Sequence, residues 1–234
     1  MTRAALLACL LGTSFLSACV PARANYDAYL DHMPRSILVL PPVNLTTDVK
    51  ASAAFLSTIT CPLAECGYYV YPVAVVDELM KDNGQPTPGD MHQVPLDKLG
   101  EVFGADAVLY IVIKEWKTQY LVVDTSTTVT LEYRLRDIKT GVELWHQQVT
   151  ARHSSSQGTN NLFAMLVSAA VSAIAKAAST PEWGVARQAN TAMFADARRG
   201  IPKGHRHPDF AKDQERLKSE RAAASPPAPE AGSP

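Results

Sequence analysis

The sequence is poor in the signatures that announce a reaction. It contains no G-x-G-x-x-G, no P-loop, no H-E-x-x-H and no G-x-S-x-G, so the common phosphate, zinc and serine chemistries have no local motif to start from. Charge of one sign is also missing. The balance of 22 Lys+Arg against 23 Asp+Glu leaves −1, with no basic stripe of the kind that neutralises phosphates, so a nucleic-acid partner is not expected. Cysteine is scarce, at four residues in 234. No apolar run reaches the ~20 residues of a membrane-spanning helix. What is present is a large apolar fraction, 47%, with 19% charged residues, enough for a core and too much for wholesale disorder.

The amino terminus reads as an address. Arg3 precedes the apolar stretch Ala4 to Leu11, and small residues lead into Leu16-Ser17-Ala18-Cys19, the layout of a cleaved secretory signal. The last four residues resemble the bacterial lipobox, in which cleavage leaves a cysteine that carries lipid. Residues 1–18 are thus expected to be a lipoprotein signal peptide and Cys19 the lipidated residue. Acyl chains each contribute about 0.8 kcal/mol per buried methylene, and several on one cysteine make a durable anchor. Val20 follows the cysteine, and by resemblance to enteric sorting this points to the outer membrane, with periplasmic or surface orientation open. Cys9 leaves with the signal. Cys61 and Cys66 remain, open between a disulfide, buried thiols, and metal or redox chemistry. If the helix continues through Pro62, five residues separate Cα atoms beyond the roughly 7 Å that a disulfide spans.

Behind a tether at 19–34, residues 35–210 alternate strand and helix. Ser36 to Leu40 reads as a strand that ends at the double proline Pro41-Pro42. Asp48 is placed to cap a helix to Glu65 that closes at Gly67. Tyr68 to Val73 reads as a strand, and Asp77 to Met80 and Leu96 to Phe103 as short helices. Ala107 to Ile113 is apolar throughout, like a strand buried on both faces. Thr128 to Arg136 alternates instead: Val129, Leu131, Tyr133 and Leu135 share one face, while Thr130, Glu132, Arg134 and Arg136 share a wet one. Asp137 to Gly141 forms a turn into a partner strand, Val142 to Arg152. Leu162 to Ala178 follows, apolar nearly all round, then a helix from Pro181 to Arg198. Residues 211–234 are expected to be a disordered, Pro/Ala-rich tail. The order describes one α/β sandwich with a single mixed sheet. One sheet covers one side of the apolar helix, so Met165, Val167, Val171 and Ile174 are expected to meet a second copy of the chain.

Two stretches carry a family likeness. Gly104-Ala105-Asp106-Ala107-Val108-Leu109-Tyr110 resembles the entry to the central strand in the periplasmic domains of the curli-export lipoprotein and TolB amino-terminal kind. Asp137-Ile138-Lys139-Thr140-Gly141-Val142-Glu143-Leu144-Trp145 resembles their hairpin. With the lipobox, Ser36 to Pro42, Leu63-Ala64-Glu65, Gly67-Tyr68-Tyr69-Val70, Pro202-Lys203-Gly204 and His207-Pro208-Asp209-Phe210, most of 19–210 resembles a lipoprotein family represented among meningococcal vaccine candidates. The resemblance implies an anticodon-binding-like α/β fold and self-association, and supplies no activity. Cys61, Cys66 and the tail depart from the pattern.

The six histidines, His32, His92, His146, His153, His205 and His207, are scattered. Asp106 reads as a strand-entry cap, and Trp116, Trp145 and Trp183 as packing or edge residues. Neither metal, cofactor nor catalysis is expected. The expected role is an outer-membrane lipoprotein acting as an accessory or structural partner in envelope assembly or export, held to the membrane by its lipid and partnered by envelope or export lipoproteins. The alternative is a periplasmic module that binds a small molecule or envelope polymer beside the wet hairpin face.

Overall fold

The computed structural model describes residues 24–120, 125–154 and 181–224. Strands β1 (Ser36–Val39), β2 (Val43–Asn44), β3 (Tyr69–Val70), β4 (Ala107–Tyr120), β5 (Thr125–Asp137) and β6 (Glu143–Ser154) form one sheet. Its order is β3-β1-β4-β5-β6, with β2 also on β4. The short strands pair in parallel, and β4, β5 and β6 form an antiparallel meander. The expected single mixed sheet is therefore present, with its parallel and antiparallel halves meeting at β4.

Helices cover the two faces unequally. On one face α2 (Ala51–Glu65) and α6 (Pro181–Ala195) pack along the sheet. There Phe55, Ile59 and Leu63 meet Ile37, Val39, Leu109, Leu131, Tyr133 and Phe194 in the larger core. On the other face α3 (Val73–Asp82), α4 (Pro88–Met91) and α5 (Leu96–Phe103) cover only β1 and the start of β4. Their core is smaller, with Val76, Met80, Met91 and Leu99 against Leu38, Leu40 and Val108. The rest of that face, across the meander, carries polar side chains, of which Arg134 and Arg136 are exposed and Glu132 is buried.

Both ends of the domain extend beyond the expected boundaries. The tether contains α1 (Asp27–His32), and Tyr26, Tyr29 and Leu30 are buried. Tyr26 donates its hydroxyl to Gly200 O at 2.6 Å, and the Tyr29 and Tyr68 hydroxyls meet at 2.8 Å. The tail expected to be disordered from 211 instead begins with α7 (Phe210–Ala224). Leu217 enters the core, Asp213 and Glu220 flank Arg216, and Arg221 reaches Asp31 on α1 at 2.7 Å. Its low apolar content hid it: intrahelical ion pairs and one buried leucine hold it in place of an apolar stripe.

Three of the sequence stretches that carry the family likeness, Gly67 to Val70, Pro202 to Gly204 and His207 to Phe210, meet in space. Gly67 sits at φ +93°, and a Cβ there would lie 2.4 Å from His207 N and 2.7 Å from Gly204 O. Gly204 donates its N–H to Cys66 O at 2.7 Å, and Arg206 donates to Gly67 O at 3.2 Å. Tyr68 donates to Pro202 O at 2.6 Å. The close backbone approach requires glycine on both sides, and it ties the far end of the chain to the α2–β3 connection.

Candidate functional site: the polar face of the meander

The meander starts from a strand entry and a turn. Asp106 Oδ2 accepts from Ser36 Oγ at 2.9 Å and from the Arg35 and Ser36 amides, each at 3.0 Å. This gives Asp106 the structural role expected of it. At the β5–β6 turn Asp137 Oδ1 accepts from Thr140 N and Oγ1 at 2.7 and 2.8 Å. Gly141 takes φ +72°, a conformation in which a side chain is strained. These contacts fix the register that aligns Arg134 with His146 and Glu132 with Gln148.

Glu132 is the centre of the face. Lys114 Nζ lies 2.5 Å from its Oε2, Arg134 donates two N–H groups to Oε1 at 2.8 and 2.9 Å, and His146 Nε2 lies 3.1 Å from the same oxygen. Lys114 also donates to Gln148 Oε1 at 2.7 Å. Glu132 is buried while its partners are exposed. The Lys114 ammonium and then the Arg134 guanidinium, outweighing burial, hold its carboxyl down at about 2. A second row follows one step along the sheet. Lys117 lies 2.6 Å from Glu115, Thr130 donates to Glu115 Oε2 at 3.2 Å, and the Thr130 and Thr150 hydroxyls meet at 3.0 Å. Arg152 then donates to Ser126 Oγ at 2.8 Å. At strand spacings the patch measures roughly 25 Å by 10 Å. Its side chains are joined to one another by ion pairs and hydrogen bonds.

The opposite side of the same strands is dry. Tyr133 donates its hydroxyl to Asn190 Oδ1, Asn190 donates to Thr58 Oγ1 at 2.9 Å, and Trp145 Nε1 donates to Arg199 O at 2.8 Å. Trp116 and Trp145 are buried, and Trp183 donates to Ser57 Oγ, so these indoles pack and bridge.

The histidines stay apart. His32 Nδ1 meets Ala28 O and His92 Nε2 meets Pro41 O, at 2.7 and 2.9 Å. Burial lowers the pKa of His92 from its ordinary value. Among the described residues no three His, Cys, Asp or Glu side chains cluster as a metal site would require. Cys61 and Cys66 are both free thiols, one exposed and one buried. The disulfide alternative is thereby corrected, because α2 runs through Pro62 to Glu65 and keeps the two residues apart. Burial pushes the Cys66 thiol up to about 11, while Cys61 donates to Glu65 Oε1 at 3.4 Å. Cys19 lies outside the described residues, as do Met165, Val167, Val171 and Ile174.

The row through Lys114 was not legible from alternation. A β-bulge between Ile113 and Glu115 shifts the register, so the period of two breaks where β4 turns polar. The alternation Glu115-Trp116-Lys117 beyond the break is the signal that could have extended the strand.

Residues 24–206 match the family described as "Putative lipoprotein GNA1162-like". The chain belongs to this family. The protein named "Putative lipoprotein NMB1124/NMB1162" from Neisseria meningitidis serogroup B (strain ATCC BAA-335 / MC58) is 38% identical over 203 residues, covering 85% of this chain and 93% of that one. The crystal structure of lipoprotein GNA1162 from Neisseria meningitidis is 45% identical, with a TM-score of 0.52 over 61% of this chain and 99% of that chain. None of the described helices is long and apolar enough to cross a membrane.

Proposed function

We propose that this chain is an outer-membrane lipoprotein, anchored through Cys19, that acts without catalysis as an accessory or structural partner in envelope assembly or export. The observation that carries the reading is the polar face of the meander. A patch of mutually paired charges offers a partner protein a surface with less side-chain entropy to lose on docking. Glu132 supports the same view. With its carboxyl held at about 2 by three partners, it stays ionised at physiological pH and is poorly matched to proton transfer there. Self-association through Val171 and Ile174 belongs to the same proposal, since anchoring gathers chains on one surface.

The test is co-purification of the lipidated chain and of a Lys114→Glu, Arg134→Glu variant from cross-linked envelopes. A stable envelope protein recovered with the native chain and lost from the variant is expected. An identical set of proteins from both contradicts the assignment of the face. The anchor is tested separately: labelled palmitate enters the native chain, and Cys19→Ala abolishes labelling and releases or stalls the protein. Unchanged fractionation with outer membranes after equal washing refutes that part.

A further inference from the structure

On the helical layer formed by α3, α4 and α5, apolar surface is left open. Val75 is 61% exposed, Leu79 36% and Val102 60%. Leu79 and Met80 of α3, Asp90 of α4, and Leu99, Val102 and Phe103 of α5 line a cleft of about 400 Å³. Val75 lies one turn before Leu79, so the exposed apolar stripe runs past the end of the cleft along α3. An occupant that covers all of it is elongated, which a small compact ligand is not.

Charge says what flanks that occupant carries. Residues 73–103 contain six carboxylates, Asp77, Glu78, Asp82, Asp90, Asp97 and Glu101, against Lys81 and Lys98. Both lysines are already engaged within the layer, Lys81 with Asp77 at 2.7 Å and Lys98 with Glu101 at 2.8 Å. On α3, Glu78 and Asp82 stand three residues after Val75 and Leu79 and so border the stripe with negative charge, while the cleft itself is lined by one carboxylate, Asp90, and one ammonium, Lys98. The geometry points to an amphipathic helix of a partner protein, with an aliphatic face for the cleft and Lys or Arg on its flanks, laid along the α3–α5 groove. Helix-in-groove docking uses apolar anchors at i, i+3 and i+4, and opposite charge at the rim sets orientation and raises the encounter rate. The inference is independent of the polar face of the meander, which lies beyond the helical layer.

The probe is a 16-residue Leu/Lys amphipathic helix with a benzophenone on its apolar face, offered to the full chain in phosphatidylcholine nanodiscs with empty discs subtracted. A charge-inverted Leu/Glu peptide is the comparison. Saturable binding is expected, with photo-adducts on α3 and α5 and at least tenfold preference for the Leu/Lys form at low salt. Val102→Asp should weaken binding at least tenfold, and the exposure of Val102 lets thermal unfolding confirm an unchanged fold. Glu78→Lys with Asp82→Lys should move the preference toward the Leu/Glu peptide. Equal affinity for Val102→Asp, adducts confined to other elements, or indifference to charge inversion overturns the proposal. So does a Val102-dependent dimer that excludes the peptide, which assigns the groove to a second copy.

Discussion

The two sides of β5 are made by alternate residues of one strand and obey different rules. Val129, Leu131, Tyr133 and Leu135 are fully buried beneath α2 and α6, where contribution scales with volume and close packing. Glu132, one residue from Tyr133, is buried as well, but by Lys114, Arg134 and His146, and its contribution depends on charge. Burial alone therefore does not distinguish scaffold from working surface on this strand. The identity of the burying atoms does.

The largest break in the comparison comes from the dry side. Tyr133→Ala should cost about 3–5 kcal/mol in denaturant unfolding, as loss of a large core aromatic does, because it also strips Asn190 of its hydroxyl partner. Tyr133→Phe should cost about 1–2 kcal/mol, the penalty of a buried acceptor left unpaired. On the wet side Glu132→Gln should cost less, about 1 kcal/mol, since Lys114 and Arg134 are half exposed and solvent screens them. It should also change the acid limb of stability. The native carboxyl lies at about 2 against an ordinary value of 4.5. Its contribution is therefore complete above the unfolded value and lost as pH falls from about 4.5 toward 2. The Gln variant should lose less stability over that window, and parallel acid limbs would contradict the assignment.

Smaller still, Lys114→Ala and Arg134→Ala should each cost under about 1 kcal/mol in stability while weakening partner recovery. A variant that unfolds the domain would make these residues scaffold. With no energetic cost at all, a thiol reagent should label Cys61 and spare Cys66 in the native protein, because Cys66 is buried with its thiol pushed up to about 11. Protection of both thiols, reversed by reductant, would revive the disulfide.

The dry side was largely legible in the sequence, and the wet side only as an absence of apolar residues. Val129 to Leu135 announced their face by a period of two, and the Asp137 to Gly141 turn by its residue types, because both effects are local. Glu132 gave no comparable sign. Its partners come from β4, β5 and β6, and Lys114 enters through a bulge that periodicity cannot register. The same reason hid α1 and α7. α7 is short of apolar residues and α1 is only six residues long, and each is held by distant groups, Tyr26 by Gly200 and Arg221 by Asp31. Asp106 was read correctly because a residue at a strand entry has few local alternatives.

The proposed function places the docking of an envelope partner on the polar face of the meander. Photo-cross-linking in living cells tests it directly, with a photoreactive residue at Gln148 on the polar face and at Lys212 on α7 as an equally exposed control. One discrete, reproducible adduct with an envelope protein is expected from position 148, lost when Arg134→Glu is added, and none from position 212. Adducts of the same size and yield from both positions, or an adduct at 148 that survives Arg134→Glu, would contradict it.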